Sequence, residues 1–279
     1  MIKTINVKST KTAEIYRYLS NAVTPRPIAF VSTIDKNGNK NLSPFSFFNV
    51  FSVKPPILVF SPVRRVRNNT SKDTLDNIKE VNECVVSLVS EEIAQQVSLS
   101  SCDFEANVNE FEKAGFTEIE SELIRPSRIK ESPINFECKV IDVVELGEEG
   151  GAGSLVLCEV LKIHIDVKVI DEKGELDPLK LNLVSRYGKN WYGKTTKESL
   201  YEIVKPLSKI GIGIDQLPEN IKKSNILTGN DLAILASIEK IPLKKDFKLR
   251  NNKNTIEKHI LAKAFLKEEK FEKAWQILL

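Results

Sequence analysis

The chain has 279 residues, of which 41% are apolar and 28% are charged, and its formal net charge is +3. This composition is typical of a globular protein with a buried core and excludes an intrinsically disordered chain. Because the small net charge gives no overall basic field, we expect neither a nucleic-acid partner nor a membrane partner.

Cysteine and histidine usage argues against a metal site. The four cysteines form no C-x-x-C pair, and the two histidines, His164 and His259, stand alone, so no metal is predicted. Cys84, Cys138 and Cys158 lie in apolar, strand-like runs, which is typical of buried free thiols. The chain starts without an apolar secretory segment, and no apolar run approaches the roughly 20 residues of a membrane-spanning helix. We therefore expect a cytoplasmic protein with reduced thiols.

The first predicted elements are a short helix and a β-hairpin. Residues 10–21 have a helical pattern, and Pro25 and Pro27 then favour extended backbone. Residues 28–34 are rich in β-branched and aromatic side chains and lead into the turn signal Asp35-Lys36-Asn37-Gly38-Asn39. A returning strand is expected from Asn41 to Ser43.

Strands and helices then alternate as far as residue 167. Strands are predicted at 56–61, 83–89, 135–146 and 154–167, with a glycine-rich hairpin loop at 147–153. Helices are predicted at 74–81 with Ser71 or Asp73 as N-cap, from the N-cap Ser90 to 97, and at 108–114 before Gly115. Hairpin-linked strands with inserted helices favour a mainly β, α+β fold built on an antiparallel barrel or sheet.

The character of the sequence changes beyond about residue 197. Residues 228–231 have the pattern of a helix cap, and residues 254–279 carry apolar side chains at helical spacing. We therefore divide the chain into a domain at residues 1–198 and a C-terminal helical extension at residues 199–279. The extension would pack either on the first domain or on a partner subunit.

A group of cationic and hydroxyl side chains precedes the helix predicted at 74–81. Arg64, Ser71, Lys72 and Thr74 lie close to its N-terminus, where free N–H groups and the helix dipole favour an anion. An arginine can bind a phosphate with two hydrogen bonds, and a lysine supplies a point charge. A solvated basic loop before an ordinary capped helix would have the same sequence, and the segment alone leaves both readings open.

The predicted loop Ser43-Pro44-Phe45-Ser46-Phe47-Phe48-Asn49 is the second candidate site. Its hydroxyl and amide groups can bond to the edge of a heteroaromatic ring, and its proline and phenylalanines can cover the ring face. A hydrophobic turn that fills the core is the alternative. Ser32 and Thr33 end a predicted strand, and their hydroxyls face either a ligand or solvent.

Three other patterns receive structural interpretations. Gly211-Ile212-Gly213 lacks the third glycine of a dinucleotide fingerprint. The glycines of 147–153 lead into another strand, so they predict a hairpin tip rather than a phosphate loop. His164 lies inside a strand and is interpreted as a hydrogen-bonded structural residue. No Ser/His/Asp or Cys/His spacing indicates covalent catalysis.

Several motifs follow one another in a fixed order. They are Arg26-Pro27-Ile28-Ala29-Phe30-Val31-Ser32-Thr33, Asn41-Leu42-Ser43 with the loop to Asn49, Pro55-Pro56, Lys72-Asp73-Thr74 with Asn77, Leu99-Ser100-Ser101-Cys102-Asp103-Phe104, Glu110-Phe111 and Glu131-Ser132-Pro133. Over roughly residues 10–195 the chain resembles the flavin reductase-like family, whose fold is an FMN-binding split β-barrel. The resemblance implies an antiparallel split β-barrel with inserted helices, in a homodimer that binds FMN non-covalently near the subunit interface.

The resemblance also implies which residues contact FMN. By position, the isoalloxazine and ribityl chain would be lined by Ser32, Thr33, Ser43, Pro44, Phe45, Ser46 and Asn49. The phosphate would lie at or near Arg64, Lys72, Asp73 and Thr74, and the loop 98–103, with Ser100 and Ser101, would approach from the side or from the partner. Val63 stands where the family often has a small residue, and three neighbouring arginines leave open which one binds phosphate.

The function implied is an NAD(P)H-dependent flavin reductase that serves a small-molecule redox substrate. NAD(P)H would bind transiently over the flavin, and no catalytic residue is assigned because FMN carries the redox chemistry. One alternative is an FMN-binding electron-transfer or flavin-storage protein without NAD(P)H turnover. Another, suggested by the helical extension, is a flavin-free interaction module.

Overall fold

The computed structural model describes residues 1–102, 104–105, 108–203, 210–245 and 253–279. The chain forms two compact units, Met1–Tyr201 and Glu202–Leu279; the boundary predicted from the sequence lies after residue 198. The helices of the first unit are α1 (Thr12–Ala22), α2 (Asp73–Glu80), α3 (Ala94–Leu99), α4 (Glu110–Ala114) and α5 (Pro178–Leu181). Its strands are β1 (Ala29–Ile34), β2 (Lys40–Phe45), β3 (Phe48–Val53), β4 (Pro56–Phe60), β5 (Glu83–Leu88), β6 (Glu118–Ile119), β7 (Arg128–Ile129), β8 (Ile134–Glu145), β9 (Ser154–Ile165), β10 (Val184–Arg186) and β11 (Tyr192–Lys194).

Seven strands form one antiparallel sheet in the order β2-β1-β5-β8-β9-β4-β3. Its two edge strands, β2 and β3, are joined by only Ser46 and Phe47. A flat sheet would hold its edges about 29 Å apart at about 4.8 Å per strand, whereas Phe45 and Phe48 lie at most about 11 Å apart along the chain. The sheet must therefore curl until its edges meet at this point, and the predicted antiparallel fold is confirmed.

The opening hairpin forms as predicted because Asp35 organises its turn. The Asp35 carboxylate accepts the backbone N–H groups of Asn37 and Asn39, each at 2.8 Å. Gly38 has a φ of +93°, in the left-handed region that glycine tolerates. The turn fixes the register in which Ser32 lies opposite Leu42 and Thr33 opposite Asn41.

The curled sheet encloses one apolar cluster and carries a second on its other face. The enclosed cluster joins side chains from β1, β2, β4, β5, β8 and β9 to Leu75 and Ile78 of α2. Cys84, Cys138 and Cys158 belong to it as fully buried free thiols, as predicted. The second cluster packs α3 and α4 against β1 and β2. Both faces of this edge of the sheet are thus covered by helices.

Two local predictions are wrong. Residues 43–49 are not a loop, because β2 extends to Phe45 and β3 begins at Phe48. Neither Ser71 nor Asp73 is the N-cap of α2; that position is Lys72. The hydroxyl of Ser71 instead donates to the carboxylate of Asp76, at 2.6 Å from one of its oxygens.

The second unit is a helical cluster with its own core. It contains α6 (Glu219–Lys222), α7 (Gly229–Ala236), α8 (Thr255–Lys267) and α9 (Phe271–Leu278). Capping boxes start α7 at Thr228 and α8 at Asn254. Trp275 on α9 is almost fully buried among apolar side chains of this unit. Within the part of the chain that the structure describes, no helix combines the length and apolar character needed to cross a membrane.

The buried His259 makes the stability of the second unit depend on pH. Its Nε2 has no hydrogen-bond partner among the described residues, and burial lowers the pKa of His259 below its usual range. Below about pH 6.5 the unfolded chain therefore takes up a proton that the folded unit does not. We expect the free energy of unfolding to fall by up to about 1.4 kcal/mol per pH unit as the pH drops from 6.5 towards the folded pKa.

Fluorescence can report this unit alone. The chain has two tryptophans, so Trp191→Phe leaves Trp275 as the only indole. Urea unfolding of this variant between pH 5 and 8 should show the loss of stability at low pH, and adding His259→Leu should reduce it. Equal pH dependence with and without His259 would contradict the expectation.

Candidate functional site

A cleft opens where the N-terminus of α2 meets the edge strand β2. It is lined by Asn41, Ser43, Arg65, Lys72, Asp73, Thr74, Ser100, Ser101, Cys102, Phe104 and Glu110. Six of the predicted site residues come together here: Ser43, Lys72, Asp73, Thr74, Ser100 and Ser101. The cleft thus joins β2, the start of α2, the end of α3 and the start of α4.

The start of α2 is suited to an anion. Lys72 occupies the N-cap position and makes no side-chain capping hydrogen bond. The first N–H groups of an α-helix have no partner within the helix, and the helix dipole places partial positive charge beside them. At this cleft a bound anion could supply the missing acceptor, with Arg65 and Lys72 on the same rim.

The structure separates the neighbouring arginines. Arg65 lines the cleft, and its Nη1 donates to the hydroxyl of Thr70 at 3.1 Å and to the carbonyl of Ser71. The guanidinium of Arg64 is bound to Asn69, with Nε 2.7 Å from Oδ1 and Nη2 2.6 Å from the backbone oxygen. Arg64, predicted to lie at or near the phosphate, is not among the lining residues, and which of the three arginines binds phosphate stays a prediction.

The glycine-rich hairpin loop supports this arginine segment, as a hairpin tip and not as a phosphate loop. The N–H of Arg64 donates to the carbonyl of Ala152 at 2.9 Å. A Cβ at Gly150 would lie 3.1 Å from the backbone of Val66 and 3.2 Å from the carbonyl oxygen of Arg65. A larger residue at 150 would therefore push the arginine segment away from this loop.

A buried chain of hydrogen bonds runs beneath the cleft. The hydroxyl of Thr74 donates to Oδ1 of Asn41 at 2.6 Å, and Nδ2 of Asn41 donates to Oε1 of Glu110 at 3.1 Å. The other oxygen of Glu110 accepts the N–H of Leu42 at 2.9 Å, on the edge strand β2. Burial raises the pKa of Glu110, and these hydrogen bonds oppose that shift only in part.

The end of α3 contributes hydroxyl oxygens. The hydroxyls of Ser100 and Ser101 donate to the carbonyls of Val97 and Ser98, at 2.8 and 2.6 Å. Their protons are thereby used, so towards a ligand these oxygens act as hydrogen-bond acceptors. The predicted loop 98–103 is shorter, because α3 continues to Leu99; Asp103 lies outside the described residues.

Adjacent residues of β1 cannot both face this cleft. Successive side chains of a strand point to opposite faces, and Thr33 shares its face with Asn41 whereas Ser32 shares its face with Leu42. The hydroxyl of Thr33 accepts Nδ2 of Asn77 on α2 at 3.2 Å. Neither residue lines the cleft, and both are almost fully buried.

The remaining predicted residues lie along the connection from β2 to β3, also outside the lining of the cleft. Phe45 is a core residue, and its ring centroid lies 5.2 Å from that of Phe60. Pro44 lies opposite Phe30 on β1, and the hydroxyl of Ser46 accepts Nε of Arg26 at 3.4 Å. Asn49 is exposed on β3 and accepts the N–H of the next residue. Contact of these residues with a flavin stays a prediction.

Five lining residues were absent from the predicted site: Asn41, Arg65, Cys102, Phe104 and Glu110. Arg65 belongs to the arginine cluster, and the other four stand in motifs that carry the family resemblance. Their position in those motifs was the sequence signal that could have identified them as site residues. Glu110 in particular is distant in sequence, and only the packing of α4 against β2 brings it to Asn41.

The fold is that of an antiparallel split-barrel protein, and its cleft has the cationic side chains of Arg65 and Lys72 on the rim. A family model described as a flavin reductase like domain matches residues 21–180, more than half of the chain. The chain is 38% identical over 192 residues to a protein of Aquifex aeolicus, and this alignment covers 69% of this chain and 95% of the Aquifex protein. It is 39% identical over 191 residues to a protein of Halalkalibacterium halodurans, with coverage of 68% and 91%. The chain therefore belongs to the flavin reductase-like family.

Solved structures agree with this assignment. Nitrilotriacetate monooxygenase component B from Bacillus cereus is 29% identical and matches with a TM-score of 0.68, over 73% of this chain and 99% of that one. A 2-nitrobenzoate 2-nitroreductase from Pseudomonas fluorescens is also 29% identical, with a TM-score of 0.66 over 76% and 100%. A Shewanella frigidimarina protein with a split barrel domain is 21% identical and supports the fold alone, with a TM-score of 0.61 over 71% and 95%.

Proposed function

We propose that this chain is a flavin oxidoreductase that binds FMN non-covalently in the cleft and accepts hydride from NAD(P)H. The observation that carries the proposal is the α2 N-terminus without a side-chain cap, beside Arg65 and Lys72, in a member of the flavin reductase-like family. The names of the two most similar solved structures cited above, a monooxygenase component and a nitroreductase, support redox chemistry.

The donors and acceptors of the cleft fit the chemistry of FMN. The N–H groups at the start of α2, with Arg65 and Lys72, are donors suited to a phosphate monoester. Ser100 and Ser101 offer oxygens that can accept from hydroxyl or N–H groups of the ligand. Bound FMN supplies the hydride and electron transfer. The residues of the chain therefore bind and orient the ligand, which fits a cleft without a histidine.

Reduction by nicotinamide nucleotides tests the enzymatic part of the proposal. FMN-loaded protein mixed with NADH or NADPH without oxygen should lose its absorbance near 450 nm, because hydride passes to the flavin. Dithionite serves as the control that the bound flavin is reducible. Bleaching by dithionite but by neither nucleotide would favour the electron-transfer or storage protein, and a protein that binds no FMN would favour the flavin-free interaction module.

Placement of the phosphate is tested by Lys72→Ala. Loss of a charge-assisted contact of about 1.5–3 kcal/mol should weaken FMN binding roughly tenfold to hundredfold, measured by quenching of flavin fluorescence. Lys79→Ala is the matched control, since Lys79 lies on α2 but is not among the residues that line the cleft. Riboflavin, which lacks the phosphate, should bind both variants with the wild-type affinity. An unchanged FMN affinity in Lys72→Ala would contradict this placement.

We also propose a homodimer that pairs through exposed apolar side chains of the sheet. Strands β8, β9 and β3 carry exposed apolar side chains that a monomer would leave in water. On β9, Ile163 is 53% exposed, and on β3 Phe51 is 69% exposed and Val53 is 86% exposed. Exposed apolar side chains of this kind are typical of an interface between subunits.

Light scattering after gel filtration tests this dimer. The wild-type chain should have twice the monomer mass of 31.4 kDa, and the double variant Phe51→Glu, Ile163→Glu should shift to the monomer because two carboxylates would be buried in the interface. Val7→Glu, at an exposed apolar position on a different segment, is the control. A monomeric wild-type chain would rule out the dimer.

A further inference from the structure

Glu110 is a charged residue buried inside the proposed binding cleft. Only 7% of its surface is exposed, and it lines the cleft together with Asp73 and Thr74. Both of its oxygens accept hydrogen bonds, one from Asn41 and one from the N–H of Leu42. A carboxylate in this position would repel a phosphate dianion bound at the start of α2, which makes its protonation state important.

The charge of Glu110 fixes the direction of the buried hydrogen bonds. An ionised carboxylate can only accept, so Asn41 turns its NH₂ group to Glu110 and its oxygen to Thr74. The proton of the Thr74 hydroxyl is then given to Asn41. In this arrangement Thr74 offers a ligand no proton from its side chain.

Protonation of Glu110 reverses this chain. A neutral carboxyl can donate to Oδ1 of Asn41 once the amide has turned over, and Nδ2 of Asn41 then donates to Thr74. The hydroxyl proton of Thr74 becomes available for the cleft. The same event removes one negative charge from the cleft, so both effects favour an anionic ligand.

The groups around Glu110 support protonation of this residue. Asp73 on α2 adds to the effect of burial in raising the pKa of Glu110. Arg65 and Lys72 on the cleft rim oppose it. Asn109, the residue before Glu110, donates from Nδ2 to Oε1 of Glu118 on β6 at 3.4 Å. The negative charge of Glu118 is balanced by Lys40, whose Nζ lies 2.5 Å from Oε2 of Glu118. A phosphate dianion added to this set would raise the pKa of Glu110 further.

We propose that binding of the FMN phosphate is coupled to uptake of one proton by Glu110, which reverses the Glu110–Asn41–Thr74 hydrogen bonds so that Thr74 donates to the ligand. This inference rests on the proposed function, since it assumes that FMN binds in the cleft. The proton comes from solvent and no covalent bond to the ligand is made. Glu110 is a positioning residue that acts on the ligand through Asn41 and Thr74.

Proton uptake is measured directly by calorimetry. FMN is titrated into the wild-type protein and into Glu110→Gln between pH 5 and 8, in two non-phosphate buffers with different ionisation enthalpies. The wild-type protein should take up as much as one proton more per FMN than the variant. Its affinity should fall with rising pH by up to about tenfold per pH unit more than that of Glu110→Gln, within the window between the pKa values of Glu110 in the free and the bound protein.

The variant also controls for the ligand, because the phosphate of FMN titrates near pH 6 in both proteins. Glu112→Gln, on an exposed position of the same helix, should behave as the wild-type protein. Thr74→Ser keeps the hydroxyl and should therefore keep the proton uptake on FMN binding. This variant gives a second measurement of the coupling if Glu110→Gln does not fold. Riboflavin binding should show no proton uptake by Glu110.

The outcomes separate the two proposals. If the wild-type protein binds no FMN, the proposed function fails and this inference fails with it. If FMN binds with equal proton uptake in the wild-type protein and Glu110→Gln, or if wild-type binding takes up no proton from pH 5 to 8, only the coupling is overturned.

Discussion

The two-residue connection between β2 and β3 is the constraint on which the rest of the first unit depends. These strands are the opposite edges of a seven-stranded sheet, and only Ser46 and Phe47 separate them. Backbone geometry cannot span a flat sheet with so short a link, so the sheet curls around its apolar side chains. Contact of Phe45 on β2 with Phe60 on β4 is a direct consequence of that closure.

Closure also decides where the binding cleft forms. β2 is an edge strand, so backbone groups on its outer side pair with no other strand of the sheet. Helix α4 covers this side, and the carboxylate of Glu110 accepts a hydrogen bond from the N–H of Leu42. On the same edge α2 is tied to β2 by the hydrogen bond from Thr74 to Asn41. An element that protects a sheet edge thus becomes one wall of a cleft, and the start of α2 becomes another.

The family match and the cleft both lie in the first of the two units. The family match at residues 21–180 lies within the first unit, and all described residues that line the cleft belong to that unit as well. The second unit has its own apolar core around Trp275. Its buried His259 has a pKa lowered by burial and an Nε2 without a hydrogen-bond partner among the described residues.

Local signals in the sequence determined six of the seven strands of the main sheet, the opening hairpin, the buried thiols and the family. Alternation of apolar residues, the Asp35–Asn39 turn and short motifs act over a few residues, where backbone and side-chain preferences suffice. The same signals placed Ser43, Lys72, Asp73, Thr74, Ser100 and Ser101 among the candidates that line the cleft.

Tertiary structure alone decided which residues share the cleft. Sequence reasoning could not tell that residues 43–49 are two strand ends and the short link between them, because an aromatic-rich loop and a strand entering a curled sheet have the same composition. It placed Arg64 at or near the phosphate and left open which of three arginines binds it; in the structure Asn69 binds Arg64, and Arg65 lines the cleft. Thr74, Asn41 and Glu110 are joined by hydrogen bonds, although Asn41 and Glu110 are 69 positions apart in the sequence. Such contacts follow from tertiary packing and not from the local sequence pattern.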